Sequence, residues 1–150
     1  MKRLLEDNIY ISLGSNLGCL EENLRRAAQE VAALESTGIT GRSHALLTEP
    51  VGLTAQPDFL NQVLRLKSSL GPRDLLVRLL GIEKAMGRVR EVPRWGPRLI
   101  DLDLLFYGQT VMNTEDLVLP HPQVWRRRFF LEMIDRVDSI FLQRFEQNRA

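Results

Sequence analysis

Residues 94–108 read RWGPRLIDLDLLFYG. From Leu99 onward the segment is apolar except for two aspartates, and Gly96, Pro97 and Gly108 punctuate its ends. It reads as a strand over 99–108 closed by a glycine. Side chains at i and i+2 share a face of a strand. Asp101 and Asp103 therefore point one way with Leu99 and Leu105, while Ile100, Leu102 and Leu104 point the other way into a core.

The segments upstream complete a fold around that strand. NIYISLG (8–14) alternates Ile9, Ile11 and Leu13 on one face, as a half-buried strand does. LEENLRRAAQEVAALES (20–36) keeps Leu20, Leu24, Ala27, Ala28, Val31 and Leu34 at helical spacing, with Gly38 placed as a stop beyond it. ITGRSHALLTE (39–49) is strand-like, and EPVGLTAQPD (49–58) is a loop set by two prolines and a glycine. FLNQVLRLK (59–67) alternates again. GPRDLLVRLLGIEKAMG (71–87) is a helix with Pro72 in its first turn and Gly87 at its end. The order is β-α-β-β-α-β, which predicts an α+β fold: a ferredoxin-like antiparallel sheet with helices packed on one face. After it, Phe130, Met133, Ile134, Val137, Ile140, Phe141 and Phe145 predict a helical C-terminal tail covering the sheet. With 150 residues and no repeat or linker, a single domain over 1–150 is expected.

Composition excludes more than it selects. The net charge is +1, so no overall field argues for nucleic acid or membrane. Cys19 is the sole cysteine, which rules out an internal disulfide and any cysteine-based zinc cluster. The N-terminus MKRLLEDNIY lacks an apolar core of the signal-peptide kind, so a cytoplasmic protein is expected.

Chemistry concentrates in consecutive elements. Adjacent carboxylates repel and raise each other's pKa, and magnesium relieves this by taking one or two carboxylates together with substrate phosphates. The alternative is an ordinary amphipathic strand with both aspartates in solvent. Just upstream, Arg88, Arg90, Arg94 and Arg98 fall within eleven residues that hold one acid, Glu91. Their planar forks suit phosphate oxygens, or they pair with Glu83, Glu91 and the aspartates. There is no G-x-x-x-x-G-K-[ST] loop, no kinase glycine loop and no G-x-G-x-x-G, so a nucleotide would be held by another architecture. His121, set between prolines in LPHPQ, is either a phosphate donor or structural. Asn61 lies in an alternating strand, where its amide can read the edge of a flat heterocycle or face solvent.

These motifs together resemble the 6-hydroxymethyl-7,8-dihydropterin pyrophosphokinase family of folate biosynthesis. The likeness is carried by ISLGSNLG (11–18), EPVGLTAQPDFLNQV (49–63), IEKAMGRVR (82–90), RWGPRLIDLDLLFYG (94–108), LPHP (119–122) and RRFFL (127–131). It implies pyrophosphate transfer from Mg·ATP to the pterin's hydroxymethyl group, releasing AMP. It implies Asp101 and Asp103 as ligands of two magnesium ions and Arg88 and Arg98 as catalytic arginines. Glu83, Arg90, Trp95, His121 and Arg127 would join Arg88 and Arg98 around ATP. Thr48, Pro50, Val51, Phe59, Asn61, Trp95 and Phe129 would enclose the pterin. The partners implied are these small molecules, with no nucleic acid or membrane, acting on a monomer. Two features depart from the family pattern: Arg128, where relatives carry a small residue, and the tail over 132–150. Two other readings compete, a ferredoxin-like binding module without turnover and an RNA-binding domain. The intact Asp101, Asp103, Arg88 and Arg98 count against the first, and the near-neutral charge counts against the second.

Overall fold

The structure is a computed structural model that describes residues 5–50, 55–87 and 99–149. Val51, Arg88, Arg90, Trp95 and Arg98, all singled out above, lie outside the described residues.

Strand β1 (Glu6–Ser15) is the centre of the fold. Helix α1 (Leu20–Ala32) follows, then β2 (Thr37–Arg42), β3 (Leu46–Thr48), β4 (Phe59–Ser68), α2 (Pro72–Ala85) and β5 (Asp101–Tyr107). The sheet runs β2-β4-β1-β5, with β3 beside β4 next to β2, and every pairing is antiparallel. The fold is therefore α+β. One face packs on α1 and α2: Ile9, Ile11, Leu13, Leu64, Leu66, Leu102 and Leu104 meet Leu24, Ala27, Ala28 and Val31 of α1 and Leu75, Leu79 and Ile82 of α2.

The second face is covered as well, so β1 is buried on both sides rather than half-buried. A short hairpin, β6 (Met112–Asn113) and β7 (Val118–Leu119), leads into α3 (Gln123–Arg126), α4 (Phe129–Val137) and α5 (Phe141–Arg149). Val124, Phe130, Met133, Ile134, Phe141 and Phe145 pack there against Tyr10, Val63, Leu105 and Phe106. α1 and α2 thus lie on one face of the sheet and the tail helices on the other. The tail is two main helices rather than one: the backbone breaks at Asp138, whose carboxylate accepts from the Ile140 N–H, and Ile140 is exposed.

Three further local readings change. Residues 39–49 are two strands, because the Ser43 hydroxyl accepts the Val63 N–H at 2.9 Å where a strand would continue its ladder; His44 in that break is exposed. Gly38 lies within β2 opposite Lys67, and α1 ends earlier, with Ser36 taking the positive φ of the turn. In β5 the register shifts so that Tyr10 faces Phe106 and Ile11 faces Leu104. Leu105 is the extra residue of a bulge, and Leu105 and Phe106 both enter the second core.

Candidate active site

Strand pairing sets the polar end of the second face. Gly14 of β1 lies opposite Asn61 of β4 on one side and Asp101 of β5 on the other; one step along, Ser12 lies between Val63 and Asp103. Directly opposed residues of an antiparallel pair share a face. Asn61, Gly14 and Asp101 form one row and Val63, Ser12 and Asp103 the next. Tyr10 and Phe106 come after these and are sealed under the tail. Gly14 is needed for proximity, since a Cβ there would stand 3.2 Å from Asn61 Oδ1 and 3.7 Å from Phe59 Cδ1.

On the β4 side, Asn61 is 4% exposed. Its Nδ2 donates to Thr48 Oγ1 at 2.6 Å, to Phe59 O at 3.2 Å and to Leu46 O at 3.4 Å. Three acceptors on the amide nitrogen fix the side chain's orientation. Arg127, at the junction of α3 and α4, donates from Nη2 to the same Thr48 hydroxyl at 3.2 Å and to Glu49 O at 3.0 Å. Its guanidinium lies 4.9 Å from the centre of the half-buried Phe129 ring. Burial lowers the Arg127 pKa and the Asp103 carboxylate raises it, which ties this residue electrostatically to β5. Arg128 is exposed at the start of α4, and Pro50 borders the described residues beside Glu49.

On the β5 side, Asp101 and Asp103 are partly exposed on the shared face, while Leu102 between them is buried in the first core. The His121 N–H donates to Leu105 O, and its Nδ1 accepts from Gln123 N at 3.1 Å. That leaves Nε2 facing Asp103 Oδ1 at 3.7 Å. Burial pushes the imidazole pKa down, Asp101 pulls it up and Arg126 adds to the lowering. An open cleft of ≈ 460 Å³ runs from Asp103 and His121 past Gln123 and Arg126 to Leu76 on α2 and Glu115 on the hairpin. Glu83 is 2% exposed, and its Oε2 accepts the Leu102 N–H at 2.8 Å.

Thus Asp101, Asp103 and His121 come together on one side, and Thr48, Phe59, Asn61, Arg127 and Phe129 on the other. Sequence reasoning passed over Gly14 and Ser12, which lie between the two groups. The signal was present in Gly14, which ends an alternating run on the face opposite its leucine and isoleucines.

The donor chemistry suits magnesium, which the family's ATP-dependent reaction requires. No group of three or more His, Cys, Asp and Glu that could hold a metal occurs among the described residues. The two half-exposed carboxylates are oxygen donors of the kind magnesium takes, and they would leave the remaining positions to phosphate and water. No helix among the described residues is long and apolar enough to cross a membrane.

This α+β chain is a transferase of the pyrophosphokinase class. The sequence model of 7,8-dihydro-6-hydroxymethylpterin-pyrophosphokinase (HPPK) matches residues 10–139. The 2-amino-4-hydroxy-6-hydroxymethyldihydropteridine pyrophosphokinase of Bacillus subtilis (strain 168) is 43% identical over 122 residues, 81% of this chain and 72% of that protein. The protein of the same name from Haemophilus influenzae is 38% identical over 130 residues, 87% and 81% of the two chains. A folate synthesis bifunctional protein of Arabidopsis thaliana is 41% identical over 127 residues, and the match spans 26% of its length. The chain belongs to the HPPK family. It transfers pyrophosphate from ATP to the hydroxymethyl group of 6-hydroxymethyl-7,8-dihydropterin, a step of folate synthesis.

Proposed function

We propose that the two polar rows flanking Gly14 divide the reaction between them, with the Asn61 side holding the pterin and the Asp101–Asp103 side holding ATP. The register carries this reading, because Asn61 and Asp101 are both direct neighbours of Gly14 across one strand. An acceptor seated on Asn61 would present its hydroxymethyl group toward β5 without any domain movement. Phe59 and Phe129 line the faces of the ring, the Asn61 amide reads its edge, and backbone around Thr48, Pro50 and Val51 closes the pocket. Asp101 and Asp103 are the ligands of two magnesium ions. Bound there, the ions would neutralise phosphate charge, while Asp101 and Asp103 would fix their place beside the acceptor.

His121 and Arg127 then contact phosphate. Burial lowers the His121 pKa, and with Nδ1 accepting from the Gln123 N–H the Nε2 side is the one turned to donate. Arg88 and Arg98 would stabilise charge in transfer, and Arg90 and Trp95 would join them around ATP. The described residues that line this space offer no nucleophile poised for covalent catalysis, and in-line transfer needs positioning and charge neutralisation more than one. The strand order supports a ferredoxin-like description of the sheet, and a single-domain, cytoplasmic monomer completes the reading.

The test is incubation with ATP, magnesium and hydroxymethyl-dihydropterin, in wild type and in two variants. Pterin-dependent AMP is expected from wild type. Asn61→Ala should raise the KM for pterin and leave the magnesium requirement alone, and Asp103→Asn should do the reverse. ADP as product, or both variants acting on the same parameter, would reject the division of the site.

A further inference from the structure

Glu83 has a second, better defined relation to the site. It lies at the C-terminal end of α2, where a carboxylate opposes the helix dipole, and at 2% exposure it has given up its water. It also falls on the core stripe of Leu75, Leu79 and Ile82, where packing alone would favour leucine. One of its carboxylate oxygens, Oε2, accepts from a backbone group. β5 is the edge strand of the sheet, and an edge strand leaves every second N–H unpaired. Leu102 faces Leu13 in the ladder, yet its N–H turns outward to Glu83 Oε2 at 2.8 Å. That amide stands between the two aspartates.

We propose that Glu83 is a positioning residue of the transfer reaction. By gripping the Leu102 N–H it fixes the backbone between Asp101 and Asp103, and with it the separation at which the two carboxylates meet the metal-bound phosphates. Five residues after Glu83 comes Arg88, so the same bond ties the helix end that leads into the arginine segment to the metal strand. The proposal rests on the reading of Asp101 and Asp103 as metal ligands, and it gives Glu83 a role through the protein backbone rather than through the nucleotide.

Two substitutions separate reach from charge. Glu83→Gln keeps an acceptor oxygen at the same length and loses the charge; Glu83→Asp keeps the charge and falls a methylene short. Two readouts are taken on the full chain: hydrogen exchange at the Leu102 amide, and the magnesium concentration that half-saturates binding of a non-hydrolysable ATP analogue. For E83D, Leu102 exchange should accelerate about 10-fold and the magnesium requirement should rise about 10-fold, in the range for outer-shell partners of metal ligands. For E83Q both should stay within about 3-fold of wild type. The opposite pattern, with E83Q impaired and E83D normal, would assign Glu83 a charge contact and overturn the proposal. Faster exchange in E83D with an unchanged magnesium requirement would make the bond merely structural and overturn it too. Asp103→Asn is the control for the underlying reading: if its magnesium requirement is also unchanged, it is the metal assignment that fails, not the coupling from Glu83.

Discussion

Removing the hydroxyl of Tyr10 should make the protein more stable. Tyr10 is fully buried beneath the tail, its ring 4.7 Å from that of Phe141, and its Oη has no hydrogen-bond partner among the described residues. A buried polar atom without a partner costs about 1–3 kcal/mol. Phenylalanine keeps the ring and discards that cost, so Tyr10→Phe should raise stability by about 1 kcal/mol near neutral pH. Most buried substitutions do the opposite. The same atom makes a second, independent forecast. Burial pushes the phenol from 10.0 up to about 12; Arg65 lowers it and Asp138 raises it, so the two charges work against each other and burial decides.

The sign follows from proton counting. Above pH 10 the unfolded chain releases its phenol proton while the folded chain keeps it to about 12, so the folded state binds more protons and stability falls as pH rises through that window. At 1.36 kcal/mol per pH unit the loss totals about 2.7 kcal/mol. Tyr10→Phe lacks this loss, and the other titrating groups cancel between the two proteins. Urea unfolding of both, near neutral pH and midway through the window, measures the two quantities. The stability gap should widen by about 1.4 kcal/mol between those conditions. A variant destabilised near neutral pH, or a gap that does not widen, would show that the hydroxyl is partnered and refute the argument. Turnover should not change, since Tyr10 lies beyond both site rows.

Three other outcomes follow from the geometry. Asp103→Asn should lower kcat by about 100-fold or more while leaving the thermal midpoint near that of wild type, because it alters the proposed metal ligand on a half-exposed face and no core contact; steady-state kinetics with a melting curve check both halves. Gly41→Ala would set a Cβ 2.6 Å from Val137 Cγ1 and should cost about 1–3 kcal/mol, largely restored by adding Val137→Ala, as a double-mutant cycle would read. Asn61→Asp would turn an oxygen onto Thr48 Oγ1, Phe59 O and Leu46 O, the acceptors its nitrogen now serves. It should raise the pterin KM about 10-fold or more with the ATP KM unchanged.

What could be read from the sequence was whatever depends on side-chain periodicity. The alternation of Ile9, Ile11 and Leu13 located the central strand, and i, i+2 spacing put Asp101 and Asp103 on one face before any partner strand was known. What escaped depends on a neighbour. Residues 39–49 look like one strand until the Ser43 hydroxyl takes the Val63 N–H. The bulge at Leu105 exists only relative to β1, and no local pattern marks it. Glu83 shows the same limit at the site. Family likeness placed it near the nucleotide, but its bond to an edge-strand amide appears only once α2 and β5 lie side by side.

That bulge bears on how the site is held. A regular strand would send Leu105 toward the tail and Phe106 toward α1 and α2. With one residue added, Leu105 and Phe106 both enter the second core, and Phe106 meets Phe141 and Phe145 edge-on at 5.2 Å each. Two residues after Asp103, therefore, β5 is clamped by apolar contacts on the face that carries the carboxylates. The tail supplies that clamp, and Arg127, just ahead of it, reaches the Thr48 hydroxyl that orients Asn61. The segment that departs most from the family's sequence pattern thus braces the β5 half of the site, while Arg127, within the family-like RRFFL, reaches the other. It can do so with different residues because the clamp requires volume and aromatic packing rather than particular chemical groups.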